Sequence, residues 1–213
     1  MTRRAAALLL LTLAACGGSS SDEAAYPEGS DRKADSPTTF GPDFSELKLG
    51  PKLTGSEFET SFFGPDGDKA GALKGYVACA ADLTSCDDVG ENPVYTYVLE
   101  VTPKERSSTF RTTERAYGFT GTAGYDKAAV RAALPGDSRL VMLCSDGVLL
   151  WAIEGGEGWR GKPVTVYWQS DQPPADTTDP PSDTSAAYVL ITDGVRSEAE
   201  APFPTEGSTD KCR

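Results

Sequence analysis

From Ser56 to Asp193 the chain is cut into short apolar runs by Gly, Pro and Asp, and that punctuation admits many strands and hairpins but almost no helix. SEFETSFF (56–63) alternates Phe58 and Phe62 with Glu57 and Glu59, and GPDGDKAG turns the chain back. KGYVACA and PVYTYVLEVT follow, the second with Val, Tyr and Leu on both faces, as a central strand requires. TFRTTERAYGFT (109–120) alternates weakly and suits a sheet edge. RLVMLC and GVLLWAIE meet at Ser145-Asp146-Gly147, a hairpin signal because Asp-Gly supplies the positive φ angles of a tight turn. PVTVYWQ and AAYVLITD complete the set. Only YDKAAVRAAL (125–134) predicts a helix, alanine-rich, with Val130 and Leu134 one turn apart and Pro135-Gly136 as its stop. Some eight short strands with one short helix predict a mainly β fold, an immunoglobulin-like β-sandwich, with a partly open β-barrel as the runner-up. DQPPADTTDPPSDTS (171–185) reads as a long exposed hairpin loop, and the tail from Arg196 as irregular.

The start of the chain follows a different grammar. Arg3 and Arg4 precede an apolar run from Ala5 to Leu13, broken only by Thr12, and small residues close it: the three-part layout of a secretory signal over residues 1–15. The run is shorter than the roughly 20 residues that span a bilayer. Leu13-Ala14-Ala15-Cys16 resembles the lipobox of bacterial lipoproteins. The resemblance implies cleavage before Cys16, a thioether from its thiol to diacylglycerol, and acylation of the new amino terminus. Two or more acyl chains hold a protein stably to a lipid bilayer, where one is marginal. By the same resemblance, Gly17 rather than Asp after the cysteine points to the outer membrane in a Gram-negative cell, and otherwise to the outer face of the cell membrane. Residues 17–39 are rich in Gly, Ser, Asp, Glu and Pro and predict a disordered tether behind the lipidated Cys16. Residues 40–213 then form a single β-rich domain.

Apart from Cys16, four cysteines remain, Cys79, Cys86, Cys144 and Cys212, and an even number in an exported domain predicts two disulfides. Three connectivities are open. The preferred one joins Cys79 to Cys86 across AADLTS and Cys144 to Cys212, pinning the C-terminus to the core. A zinc site is disfavoured by the wide spacing and by the absence of histidine.

The formal charge of −12 argues against nucleic acid as a partner. With no histidine in the chain, the commonest general base, the commonest metal ligand and every Ser-His or Cys-His nucleophile are excluded, so no catalytic residue and no resident metal are assigned. Asp66-Gly67-Asp68 opens like a calcium loop but has Ala70 and Val77 where carboxylates belong, which leaves only a looser Ca2+ site as an alternative. Two features suggest recognition. Arg111, Arg115 and Tyr117 share one face of the weak strand, a basic patch in an acidic protein. Among the tryptophans, Trp151 and Trp168 sit in apolar runs, whereas Trp159 in GGEGWRG reads as an exposed stacking platform. The sequence thus predicts a membrane-anchored envelope lipoprotein with a non-catalytic binding or assembly β-domain, its partner another envelope protein or a glycan. The alternatives are a hydrolase working through carboxylates and a purely structural surface lipoprotein.

Overall fold

A computed structural model describes residues 40–113, 115–156, 158–175, 187–204, 207, 208 and 210–212. The signal, Cys16 and the tether lie outside these, as does most of the loop 171–185. The elements are β1 (Phe58–Phe63), β2 (Lys69–Ala78), β3 (Tyr95–Pro103), β4 (Ser107–Thr112), β5 (Phe119–Tyr125), α1 (Lys127–Ala133), β6 (Arg139–Ser145), β7 (Val148–Glu154), β8 (Val164–Ser170), β9 (Tyr188–Thr192) and β10 (Val195–Ala199), with a 3-10 turn at Phe44–Glu46.

The predicted mainly β fold, its single short helix and both disulfides are present. The strands take the barrel arrangement rather than two facing sheets. All pairings are antiparallel, in the order β5-β8-β3-β2-β1-β10-β9-β4-β7-β6, and the sheet is nearly closed on itself. What joins the two halves is β1, which pairs along its length with β2 and at Phe63 with Glu198 of β10.

Two expectations are corrected. Residues 109–120 are not one edge strand: the chain leaves the sheet after Thr112 and re-enters at Phe119, and β4 lies inside the sheet between β9 and β7. The tail is not irregular from Arg196, because Val195–Ala199 is β10. Asp193 (φ 48°) and Gly194 (φ 80°) make the β9–β10 turn with the left-handed pair that Asp146 (φ 52°) and Gly147 (φ 86°) provide between β6 and β7.

Aromatic side chains fill the interior. Rings run in contact from Phe62 to Phe110 (6.1 Å), Tyr188 (5.5 Å), Phe203 (5.6 Å), Trp168 (5.4 Å) and Tyr97 (4.5 Å), with Trp151 beside Phe110 at 5.5 Å. Buried polar tips are matched: Trp168 Nε1 donates to Tyr188 Oη at 3.3 Å, and Trp151 Nε1 to Gly124 O at 3.2 Å. Burial pushes the phenols of Tyr188 and Tyr97 well above the usual tyrosine range. Lys74, Arg139, Arg196 and Glu198 stand exposed outside. Aromatics inside and charges outside invert the plan of a barrel whose outer face meets lipid. Among the described residues no helix is long and apolar enough to cross a membrane.

The edge strands β5 and β6 are bridged by side chains and by the C-terminus. Tyr125 Oη donates to Leu140 O at 3.0 Å. At the other end of the gap, Gly118 N donates to Ser208 O (2.9 Å), Lys211 Nζ to Thr120 O (3.1 Å) and Gly147 N to Cys212 O (2.9 Å), and the Cys144–Cys212 disulfide fixes this segment to β6. Residues 40–46 cover the outer face of β8. There Tyr167 Oη donates to Pro42 O (2.6 Å), the Phe44 ring lies 6.0 Å from that of Tyr167, and burial pushes the Tyr167 phenol up to about 12.

Candidate functional site

The basic patch and the tryptophan platform do not form one surface. Arg111 lies on β4, half-buried, and Nη1 donates to Thr112 O at 3.2 Å. Arg115 and Tyr117 fall in the turn after the strand, where the Tyr117 carbonyl accepts from Ser170 Oγ at 2.9 Å. Trp159 sits at the opposite end of β4, exchanging backbone hydrogen bonds with Ser107. Ser107, the partner of Trp159, lies four residues before Arg111 along β4, about 13 Å, and Arg115 and Tyr117 follow beyond the strand. Trp159 is also only 1% exposed, and its Nε1 donates to Lys162 O at 3.2 Å. The glycines of GGEGWRG turn the chain inward, so the ring packs in the core and is no platform.

Asp66 and Asp68 lie in the β1–β2 turn, closed by Gly64 N donating to Asp68 O at 2.9 Å. Among the described residues, no group of three or more His, Cys, Asp or Glu side chains is placed to hold a metal.

A groove of about 360 Å³ crosses the sheet at β1, β2, β3 and β8, lined by residues that include Phe44, Phe58, Tyr76, Val98, Lys74 and Glu100. Strand pairing builds it in two rows. In one, Glu59, Lys74, Glu100 and Thr165 stand opposite one another across four strands. In the next, Tyr76, Val98 and Tyr167 do the same. Between the rows on β2 is Gly75, where a Cβ would meet Val98 O at 2.2 Å and the Phe58 ring at 2.8 Å, so only glycine permits this close approach. Phe44 rises at one side, placed by the turn that Asp43 caps. On the other side Lys52 bonds Glu57 and holds its ammonium 4.4 Å from the centre of the Tyr76 ring. That bond to Glu57 raises the Lys52 pKa, and burial raises that of Tyr76. Lys74 pairs with Glu59 at 3.4 Å.

The groove offers aromatic and aliphatic faces beside a row of alternating hydrogen-bond acceptors and donors. Sequence reasoning missed it. The period-two signal does put Lys74 and Tyr76 on one face of β2, but the register that brings Glu100 and Thr165 alongside is set by other strands. Comparison with known proteins finds no match: no protein-family model fits the chain, and no curated protein or solved structure matches it.

Proposed function

We propose that this chain is a lipoprotein of a bacterial cell envelope, held to the bilayer through acylated Cys16, whose barrel is a non-catalytic binding or assembly module. The observation that carries the reading is the use of cysteine. Four of the five cysteines are consumed by the Cys79–Cys86 and Cys144–Cys212 disulfides, as suits an oxidising compartment outside the cytoplasm. The fifth, Cys16, stands alone behind Arg3-Arg4 and an apolar run, where lipidation is the chemistry that fits. The polar stretch 17–39 then serves as a tether, and the groove over β2 and β3 as the surface for another envelope component. In a cell with an outer membrane the anchor sits there; otherwise it sits on the outer face of the cell membrane.

The test is expression of the full chain in a bacterium supplied with labelled fatty acid. The natural chain should take up label and sediment with membranes. Cys16→Ser should do neither, while keeping both disulfides. Continued membrane association of Cys16→Ser would overturn the anchor, and two or more free thiols in the exported, unreduced protein would overturn the oxidised-compartment argument.

A further inference from the structure

We infer that the groove over β1, β2, β3 and β8 takes a neutral oligosaccharide, one sugar ring lying against the apolar wall of Tyr76, Phe44 and Val98 while its hydroxyls meet Glu100, Lys74 and Thr165. This rests on reading the barrel as a binding module, but not on the lipid anchor.

The argument begins with charge. Directly opposed residues in an antiparallel sheet stand about 5 Å apart, so Glu59, Lys74, Glu100 and Thr165 present acceptor, donor, acceptor and hydroxyl at near-regular steps. A polyanion laid along this row meets Glu59 and Glu100, with Glu57 beside them, and a polycation meets Lys74 and Lys52. Either ligand brings like charges together, which costs affinity. A chain of sugar hydroxyls carries donors and acceptors without net charge and fits the alternation. Lys74 is engaged by Glu59 and Lys52 by Glu57, whereas among the described residues no ion pair holds the Glu100 carboxylate. It is the acceptor left for a ligand, half-buried at the centre of the row.

The walls complete the match. A pyranose has an apolar C–H face, and aromatic rings supply flat, rigid contact for such a face. Lys52 over the Tyr76 ring and the packing of Phe44 on Tyr167 fix these side chains before binding, which lowers the ordering cost. The volume of about 360 Å³ is at the small end of ligand sites, which run from about 300 Å³ upward.

The experiment is amide-shift mapping by NMR on the full chain, titrated separately with neutral tetrasaccharides of gluco, N-acetylgluco, manno and galacto configuration, with dextran sulfate and with oligolysine. At least one neutral tetrasaccharide should shift Lys74, Tyr76, Glu100 and Thr165 saturably. Its affinity should hold between about 0.1 and about 1 M salt, where the Debye length falls from about 10 to about 3 Å. Tyr76→Ala should weaken it about tenfold. Glu100→Gln, which keeps shape and loses charge, should weaken it a few fold, with an unchanged amide spectrum elsewhere as proof of fold. The inference is overturned if no neutral sugar shifts these amides, or if Tyr76→Ala and Glu100→Gln both bind as the natural chain does. Should dextran sulfate or oligolysine alone shift the groove, the sugar assignment falls and the binding-module reading stands; should nothing shift it, both fall.

Discussion

Asp43 ties the chain's approach to the barrel through both carboxylate oxygens. Oδ1 accepts from Ser45 N (3.0 Å) and Ser45 Oγ (2.6 Å), and Oδ2 accepts from Lys127 N (3.0 Å) at the first residue of α1. One side chain therefore positions both the turn that carries Phe44 to the groove and the helix beside the β5–β6 gap. The Ser45 hydroxyl, partly offset by burial and assisted by the Ser45 and Lys127 amides, holds its pKa below the ordinary carboxylate value. A depressed folded pKa means that ionisation favours the folded state. That contribution is present above the unfolded value near pH 4 and is lost as pH falls through the folded one. Both oxygens accept, and in Asp43→Asn one becomes an NH2 that cannot, so the variant is expected to cost about 1 kcal/mol at neutral pH for the donor left unsatisfied. The gap between natural chain and variant should narrow below about pH 4, as the natural carboxylate protonates. Urea unfolding at several pH values measures both, and a gap independent of pH would remove the ionised carboxylate from this account.

At the scale of elements, the two Asp-Gly hairpins share a conformation but not an environment. Gly194 has φ 80° with open space where a Cβ would go, while at Gly147 (φ 86°) a Cβ would meet Arg115 Cγ at 2.8 Å. Gly194→Ala should cost about 1 kcal/mol, the strain of a left-handed residue. Gly147→Ala should cost more, because the Arg115 stem must also move. Paired denaturant curves decide it, and equal losses would show that Arg115 yields freely. The same turns mark what was legible. Asp146-Gly147 lies between two strongly apolar runs and announces its hairpin, whereas Asp193-Gly194 is followed by VRSEA, whose polar residues hide β10 until β1 and β9 flank it. FTGTAGY of β5 is equally faint, being half glycine and small residues that lie against β8. The helix was legible from its alanine-rich run with Val130 and Leu134 one turn apart, and the central strand β3 from apolar residues on both faces, signals carried by each segment itself. Trp159 and the groove were not, since burial of the one and assembly of the other depend on partners far along the chain.

For the whole molecule the open question of any nearly closed sheet is its last edge, where unpaired strands invite association with other chains. Here β5 and β6 are separated in sequence only by α1 and its flanking residues, yet they are joined by Tyr125 and by a C-terminal segment that reaches both. The Cys144–Cys212 disulfide spans 68 residues, Cys79–Cys86 only 7. Constraint of the unfolded chain grows with loop length, giving about 4 kcal/mol for the first and about 2.5 kcal/mol for the second. Position enlarges the difference, because the shorter bridge staples a loop after β2 whereas the longer one holds the closing segment. Cys144→Ser with Cys212→Ser should therefore destabilise more than Cys79→Ser with Cys86→Ser. It alone should speed amide exchange at Gly118 and Gly147, whose N–H groups donate to Ser208 and Cys212. Exchange at β1 and β10, opposite the β5–β6 gap in the strand order, should be altered only by global unfolding. If both double variants lose the same stability and leave Gly118 and Gly147 protected, the C-terminal segment is not what closes the barrel, and Tyr125 with α1 suffices to do so.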